Sequence, residues 1–447
     1  MKIAWFTPFS PVSAIGRCSS LIVKQLNRFA EVDIWHPKSD TVRPPVCRTV
    51  RIDSAESIGP EILKRYDLLI YNFGNHISFH KDIFEISQRF PGIAILHDFV
   101  YHHFFVEYWL NARKNPGAYV LTMERRYGNA GRREAENSVA HKQPPVWETD
   151  RVVDYPLFED IIGRMYGVVV HADFLARKVR DFYPGPVAKL SLPYDISRAA
   201  VSRTRADLGV PENAILLVTI GHLNPNKLVH SVIEVLGRSR ETLSDIFYVA
   251  VGPYGQAYYE RLQSLISKFG LGNKVRLTGY AADDLLEAYI SHADVCVNLR
   301  FPSFEGASAS VIEEMLHGKP VIVTDAGFCS ELPGDCVLKI GPGREVQDLP
   351  KALHYLIGES SAREGLGANA KAYALEHFQA ERYVRELLPF IGQVREGIPL
   401  LQLADRLAGE LNHMGATPEM DIVSSVSRQV HELFAPRQDT NTVSSSQ

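Results

Sequence analysis

Two successive series of short apolar runs do most to restrict the fold of this chain. The first series is 2–6, 31–35, 67–71, 93–97, 167–171 and 187–191, and the second is 215–220, 246–251, 275–278, 294–299, 320–324 and 336–340. Most runs are almost continuously hydrophobic, which predicts strands buried on both faces, as in parallel sheets. Segments with helical periodicity, such as 229–238 and 283–292, separate the runs. This alternation predicts an α/β fold with two doubly wound, Rossmann-like domains.

The length of 447 residues agrees with at least two domains. We predict a first domain at 1–195 with an insertion at about 99–160, and a second domain at 212–375, because polar residues and prolines separate the two series. We expect a helix at 376–395 to return to the first domain, and 396–447 to form a helical appendage and a disordered tail. Ligands bind at the carboxyl ends of parallel strands, so two facing sheets place the active site in the cleft between the domains.

The segment 300–333 combines a loop of small residues with two glutamates. Glu305 precedes a Gly-Ala-Ser-Ala-Ser stretch that opens a helix, and Glu313 follows within the first turns of that helix. The first backbone N–H groups of a helix are unpaired, and its dipole favours an anion such as a pyrophosphate. A carboxylate such as that of Glu313 can accept hydrogen bonds from a vicinal diol. These features predict a pocket for a nucleotide sugar; the alternative is a buried helix start with both glutamates in solvent.

The same segment resembles the retaining glycosyltransferases of the GT-B fold, in the family-4 or "group 1" class. The resemblance rests on the Glu-x7-Glu spacing of Glu305 and Glu313 together with Glu-Gly, Gly-Lys-Pro-Val-Ile and Ser-Glu-Leu-Pro, in that order. It implies two facing Rossmann-like domains and a UDP- or GDP-sugar as the donor. It also implies that Glu305 holds the sugar ring and that Glu313 binds the ribose. The backbone of Gly306, Ala307 and Ser308 would bind the diphosphate.

Lys227 follows the first strand of the second series, in the sequence Gly221-His222-Leu223-Asn224-Pro225-Asn226-Lys227. The related transferases have Gly-Arg here and a lysine about five residues on, so the resemblance assigns Gly221 and Lys227 to the diphosphate. A compact lysine charge would offset the negative charge that builds up on the leaving diphosphate. His222 departs from the family's arginine. Either His222 works protonated, or Arg17 or Arg300 supplies the charge, or His222 only packs.

Gly16 is the single glycine in the loop after the first strand, where the family has a glycine-rich loop that approaches the diphosphate. The match is partial, and an ordinary strand–helix turn explains this glycine equally well. The loop lacks the Gly-x-Gly-x-x-Gly pattern of dinucleotide sites, which argues against an NAD-dependent dehydrogenase.

Other candidate site residues stand at strand ends in both series. His97 ends the run 93–97 and Asp98 follows it, at a position where the family often has His-Asp. This makes His97 a candidate catalytic residue that faces the sugar, and Asp98 a candidate acceptor residue. His171, which ends the run 167–171, is a second acceptor candidate. Tyr280 could stack on the nucleobase, and a plain turn tyrosine is the equal alternative.

The composition restricts the possible partners and cofactors. A net charge of −4 gives no reason to expect nucleic acid. The five cysteines lack zinc-type spacing and no Asp-x-Asp stands at a strand end, so we expect no metal and no cofactor besides the donor, in a cytoplasmic protein with reduced thiols. No apolar run could cross a bilayer, so any membrane contact would be peripheral. Residues 113–142 hold seven Lys/Arg against three Glu, which suits a lipid-linked or anionic acceptor, although an ordinary surface insertion explains them as well.

The resemblance implies that the chain is a retaining glycosyltransferase of polysaccharide or glycolipid biosynthesis. It would move a sugar from a UDP- or GDP-sugar to a hydroxyl group of a glycan, a glycolipid or a small molecule. The resemblance implies that a departing phosphate oxygen serves as the base, so that no protein base is required. A nucleotide-sugar epimerase of the same fold remains an alternative. A non-catalytic nucleotide-sugar-binding subunit is another, because of the change at His222.

Overall fold

The computed structural model describes residues 1–38, 41–195, 203–417 and 420–434. Part of the segment predicted to separate the domains, and the end of the predicted tail, therefore lie outside the described residues. The chain divides into two compact units, Met1–Leu387 and the part from Leu388 onward. The first unit contains two parallel sheets and the helices that cover them.

The first sheet has seven strands in the order β3-β2-β1-β4-β5-β6-β7. Its strands are β1 Lys2–Phe6, β2 Glu31–Pro37, β3 Thr49–Ile52, β4 Leu68–Phe73, β5 Ile93–Leu96, β6 Gly167–Val170 and β7 Val187–Lys189. All pairs are parallel, and in the register Phe6 at the end of β1 lies between Trp35 and Tyr71. The carboxyl ends of β1, β4, β5 and β6 therefore share one edge of the sheet.

Seven helices accompany this sheet. They are α1 Ala14–Leu26, α2 Pro60–Leu63, α3 Ile77–Arg89, α4 His102–Val106, α5 Pro116–Val139, α6 Phe158–Ile162 and α7 Asp173–Phe182. At the start of α1, the Ser13 side chain accepts a hydrogen bond from the Gly16 N–H, the usual way of satisfying a first-turn donor. The predicted insertion holds α4, a π-helical turn at Glu107–Ala112, α5 and α6, and α5 is interrupted at Gly128, where φ is 62°.

The second sheet has six strands in the order β10-β9-β8-β11-β12-β13. They are β8 Ile215–Ile220, β9 Ile246–Val251, β10 Val275–Leu277, β11 Val295–Asn298, β12 Val321–Thr324 and β13 Leu338–Ile340. Its helices are α8 Val229–Arg238, α9 Gln256–Lys268, α10 Asp283–His292, α11 Ala309–Leu316, α12 Glu345–Gly358 and α13 Ser360–His377. Strands β8, β11 and β12 are almost entirely buried, as the continuous hydrophobicity of their sequences predicts. The two parallel sheets with flanking helices confirm the predicted α/β class.

Helix α14, Ala380–His413, follows α13. The first turns of α14 belong to the first unit and contact residues around the first sheet. Gln25 donates a hydrogen bond of 2.7 Å to Glu381, and the centre of the Tyr383 ring lies 6.1 Å from that of the His171 ring. The second unit comprises the rest of α14 and helix α15, Asp421–Phe434. The bounds predicted for the domains and for the returning helix stay predictions.

Candidate active site

A cavity of about 580 Å³ lies between the carboxyl ends of the two sheets, where the sequence places the active site. The loops after β1, β4 and β5 line one side, and the loops after β8 and β11, with the start of α11, line the other. The two halves of the unit touch beside the cavity. The Phe99 N–H donates to the Phe304 carbonyl at 2.7 Å, and the Gly306 N–H donates to the His97 carbonyl at 2.9 Å.

Lys227 lies at the floor of the cavity, at the end of a 3-10 turn, Pro225–Lys227. Lys227 is only 4% exposed, and its Nζ donates a hydrogen bond of 3.0 Å to the Ile220 carbonyl. Burial, and then the nearby charge of Arg300, hold the pKa of Lys227 well below its usual value. Gly221 has φ 109°, and a Cβ there would lie 3.0 Å from this Nζ, so glycine lets the loop pass close to the amine. An anion in the cavity would stabilise the lysine charge.

Arg300 is the second buried cation at this floor and is 8% exposed. Its guanidinium forms an ion pair with Glu305, and its Nη2 donates to Ser310 Oγ at 3.0 Å. Burial lowers the pKa of Arg300 to about 10, so the side chain stays charged at neutral pH. Of the two arginines suggested as substitutes for the family's cation, Arg300 lines the cavity. The Arg17 guanidinium instead lies over the Tyr194 ring, 4.6 Å from its centre.

Three polar residues that the sequence analysis did not assign to the site form a hydrogen-bond network with Lys227 and Arg300. They are Asn298, Ser310 and Glu314. Asn298, the last residue of β11, donates to Ser310 Oγ at 2.9 Å and to Glu314 Oε2 at 3.0 Å. Its Oδ1 lies 3.4 Å from both Lys227 Nζ and Arg300 Nε. Glu314 is fully buried, and burial raises its pKa to about 8. The Asn298 amide thus separates a buried carboxyl group from the two cations.

Glu313 lies on α11 and is buried. Its Oε2 accepts a hydrogen bond of 3.0 Å from the Tyr194 hydroxyl, which itself accepts one of 3.2 Å from Arg17. Burial raises the pKa of Glu313, and the charge of Arg17 acts in the opposite direction. Because Tyr194 follows the last strand of the first sheet, this contact joins the two walls of the cavity.

The small-residue loop before α11 was expected to bind the diphosphate through its backbone, and only part of it lines the cavity. Ala307, Ala309 and Ser310 line the cavity, as a diphosphate-binding helix start requires, and Ser308 caps α11 by accepting a hydrogen bond from the Val311 N–H. The Gly306 N–H, in contrast, is engaged by the His97 carbonyl. A Cβ on Gly306 would lie 3.1 Å from that oxygen, so this glycine serves the contact between the two halves.

His97 lines the cavity at the end of β5. Its Nε2 lies 3.0 Å from Asn72 Oδ1, and its ring centre lies 4.9 Å from that of His171. His171 is buried behind it, outside the cavity lining as the described residues define it, and its Nδ1 bonds to the Leu190 carbonyl at 2.9 Å. Burial lowers the pKa of both histidines, that of His171 to about 4. Both rings are therefore neutral at pH 7, and His171 supports His97 from behind.

Asp98 also lines the cavity, and its carboxylate accepts a hydrogen bond of 2.8 Å from the Asn75 N–H. Burial raises the pKa of Asp98 to about 6, while the Asn75 hydrogen bond and the charge of Arg300 oppose that shift. The backbone of Asp98 forms an isolated antiparallel bridge with that of Glu305. Two candidate residues from different halves are thus neighbours.

The structure places the other three candidates at different distances from the cavity. His222 lines it but is exposed, and partial desolvation together with the charge of Lys227 lowers its pKa, which disfavours a protonated role. Gly16 lies in α1, where a Cβ would stand 2.5 Å from the Pro8 carbonyl oxygen, so it permits close packing of the helix on the loop. Tyr280 is 69% exposed and lies outside the lining formed by the described residues.

Comparison with known families concerns the second sheet. Residues 201–373 match the family model described as "Glycosyl transferases group 1".

This match confirms the resemblance of the segment around Glu305 and Glu313 to group 1 glycosyltransferases. Two curated relatives of the chain are named as glycosyltransferases. The chain is 29% identical over 121 residues to an MMP alpha-(1->4)-mannosyltransferase of Mycolicibacterium hassiacum, covering 26% of this chain and 28% of that protein. It is 25% identical over 201 residues to a D-inositol 3-phosphate glycosyltransferase of Corynebacterium efficiens, covering 42% and 46%. The chain spans less than half the length of the curated relatives it matches.

Solved structures extend the likeness to both sheets. Anabaena HepE, in a complex with UDP, aligns with a TM-score of 0.60 at 18% identity over 88% of this chain and 100% of that chain. Sucrose-phosphate synthase from Thermosynechococcus elongatus aligns with a TM-score of 0.62 at 16% identity over 88% and 99%. These likenesses confirm the predicted GT-B fold around the group 1 segment.

Within the described parts of the chain, no set of three or more His, Cys, Asp or Glu side chains is arranged to hold a metal ion. All five cysteines are free thiols. None of the described helices combines the length and the apolar character needed to cross a membrane.

Proposed function

We propose that this protein is a glycosyltransferase that moves a sugar from a UDP- or GDP-sugar to a hydroxyl group, with retention of the anomeric configuration. The observation that carries the proposal is the pair of buried cations, Lys227 and Arg300, beside the start of α11 in a group 1 segment. Buried positive charge aimed at a helix start favours a diphosphate. The acceptor would be a glycan, a glycolipid or a small molecule, and the reaction would take place in the cytoplasm.

The donor would lie along the second half of the cavity. Its diphosphate would contact Lys227, Arg300 and the first turn of α11, while Glu313 would accept hydrogen bonds from the ribose. Glu313 is held on the cavity wall by the Tyr194 hydroxyl at 3.0 Å, which orients its carboxylate. Support for a uridine nucleotide comes from Anabaena HepE, which was also solved with UDP-glucose.

The reaction would use a departing phosphate oxygen as the base. The acceptor hydroxyl would attack the anomeric carbon on the face from which the diphosphate leaves, and its proton would pass to that oxygen. Lys227 and Arg300 would stabilise the negative charge that builds up on the leaving group. Glu305 would hold the sugar ring, and the neutral imidazole of His97 would orient the sugar or the attacking hydroxyl.

Thermal melting with nucleotides tests the donor half of this proposal. A ligand that binds the folded protein raises the melting temperature by mass action, whether or not the acceptor is known. UDP or GDP, and the corresponding nucleotide sugars, should raise it in a concentration-dependent way. No shift with either nucleotide would contradict the proposal.

The substitution Glu305→Gln tests the proposed catalysis. The change removes a carboxylate that pairs with Arg300, so UDP affinity should be unchanged or higher, while the rate of sugar transfer should fall about 100-fold, equivalent to about 2.7 kcal/mol of barrier. A variant that still forms product at the wild-type rate would support a non-catalytic binding subunit instead. Nucleotide release that does not depend on an acceptor would favour an epimerase.

A further inference from the structure

Within the described part of the chain, the side of the cavity that belongs to the first sheet's half carries no lysine or arginine side chain. Among the described residues of 1–195 that line the cavity, none is a lysine or an arginine, and Asp98 is the single charged side chain. The apolar residues Ile15 and Phe79 share this wall with three histidines, His76, His80 and His97. The wall opposite the two cations is thus neutral to slightly acidic.

His80 lines this wall and has an unpartnered hydrogen-bond acceptor. Its Nδ1 lies 3.0 Å from the His76 carbonyl oxygen, and because a carbonyl only accepts, Nδ1 must carry the proton. In a neutral ring, Nε2 then holds a free lone pair. This atom is buried and has no hydrogen-bond partner among the described residues. Burial lowers the pKa of His80 to about 4, so the ring is neutral at pH 7.

His97 presents a second acceptor. The Asn72 side-chain amide donates to the Phe6 carbonyl at 3.0 Å, which turns its Oδ1 toward His97 Nε2, also at 3.0 Å. Nε2 of His97 therefore carries the proton, and Nδ1 has the lone pair. Two neutral imidazoles with opposite tautomers thus line the same wall.

Most of the basic residues of the insertion form ion pairs with carboxylates of the first sheet's half. Arg113 pairs with Glu85, and Arg125 and Arg126 both pair with Asp160. Arg132 bonds to Glu136 at 2.9 Å and to Glu124 at 3.2 Å. Four of the seven basic residues that suggested an anionic acceptor therefore neutralise carboxylates of the same half.

We propose, resting on the proposed function, that the acceptor is a neutral, polyhydroxylated molecule of the sugar class, and that His80 binds one of its hydroxyl groups. A sugar hydroxyl donates readily to an imidazole lone pair. An ionised phosphate has only acceptor atoms and would meet two acceptor nitrogens and Asp98. The wall therefore selects a neutral hydroxylated acceptor over a phosphorylated one.

A matched panel of acceptors tests the class on the wild-type protein. Release of nucleotide from UDP-glucose and from GDP-mannose is measured with glucose, mannose and maltose, and with glucose 6-phosphate and mannose 6-phosphate. At least one neutral sugar should raise the release about tenfold or more over water alone, and more than its phosphorylated counterpart. Stimulation by phosphorylated sugars alone, or by none of the probes, would overturn the inference. Nucleotide binding by thermal melting separates this failure from failure of the proposed function.

Two substitutions test the residue. His80→Phe keeps an aromatic ring but removes the lone pair, so KM for the neutral sugar should rise about tenfold or more while the dissociation constant of UDP stays the same. His80→Gln restores an acceptor oxygen and should recover most of the loss. A His80→Phe protein with wild-type KM for the sugar would overturn the assignment. Melting temperatures show whether each variant is folded.

Discussion

At the scale of single residues, burial is the largest cause of the pKa shifts of the ionisable groups at the floor of the cavity. Arg300, with a pKa of about 10, keeps its charge at neutral pH. Burial and the charge of Arg300 together lower the pKa of Lys227, so its ammonium form is less stable than that of a lysine in water. A diphosphate would stabilise the ammonium form by pairing with it. Binding of an anion and protonation of Lys227 therefore favour each other.

His171 should make the folded state sensitive to acid. Its folded-state pKa is about 4, below the usual value of 6.5, so between these values the unfolded chain binds more protons than the folded one. The stabilising effect is complete above about pH 7 and is lost as the pH falls toward 4. Between pH 7.5 and pH 5 the loss from this one side chain should be about 2 kcal/mol.

Urea titrations of wild type and His171→Asn at these two pH values measure that difference. Asp98 and Glu314, whose pKa values are raised, have the opposite sign, but they contribute equally to both proteins and cancel in the comparison. The variant should lose about 2 kcal/mol less than wild type on acidification. Equal losses in the two proteins would show that folding does not lower the pKa of His171.

The sequence identified those site residues that a motif connects. Glu305, Glu313 and Lys227 all reach the cavity. It missed Asn298 and His80, because their roles depend on partners from distant parts of the chain. Asn298 could have been noticed as a polar residue that ends a buried apolar strand, whereas no local pattern indicates the lone pair of His80.

At the scale of elements, the cap of α11 should serve both stability and binding. Ser308 Oγ accepts from the Val311 N–H and lies 3.2 Å from Ser310 Oγ, which also bonds Arg300. Ser308→Ala should cost about 1 kcal/mol of stability. It should also weaken UDP binding about three- to tenfold, because the first turn that lines the cavity loses its cap.

Asn115→Ala is the matched control. Asn115 caps α5 by accepting a hydrogen bond of 3.0 Å from the Ala118 N–H, in the insertion and outside the cavity lining formed by the described residues. Its loss should lower the melting temperature to a similar extent and leave UDP affinity unchanged. If both variants weakened UDP binding equally, the effect of Ser308→Ala would reflect general destabilisation and not the helix start.

Continuous apolar runs predicted most strands, because burial on both faces of a parallel sheet selects such sequences. Strand β3 was missed. Its sequence, Thr-Val-Arg-Ile, is short and mixed, and it lies at the edge of the sheet, where Arg51 is exposed. An edge strand needs only one neighbour and little burial, so its sequence carries a weak signal.

At the scale of the whole molecule, the contacts between the two halves of the first unit could not be read from the sequence. The motif assigned Gly306 to the diphosphate, yet its N–H bonds the His97 carbonyl across the cleft. Similarly, Tyr194 bonds Glu313 from the opposite wall. Such contacts depend on how two separately predicted sheets face each other, which no local spacing encodes.

The central claim is that the cavity binds a nucleoside diphosphate through its buried cations. Calorimetric titration of UDP and GDP into wild type, Lys227→Ala and Lys351→Ala tests it most directly. Lys351 is an exposed lysine on α12, so its removal changes the net charge equally without touching the cavity. Wild type and Lys351→Ala should bind one of the nucleotides with the same affinity, and Lys227→Ala should bind it about ten- to 100-fold more weakly, or about 1.4 to 2.7 kcal/mol. Equal affinity of all three proteins, or no binding by wild type, would contradict the account.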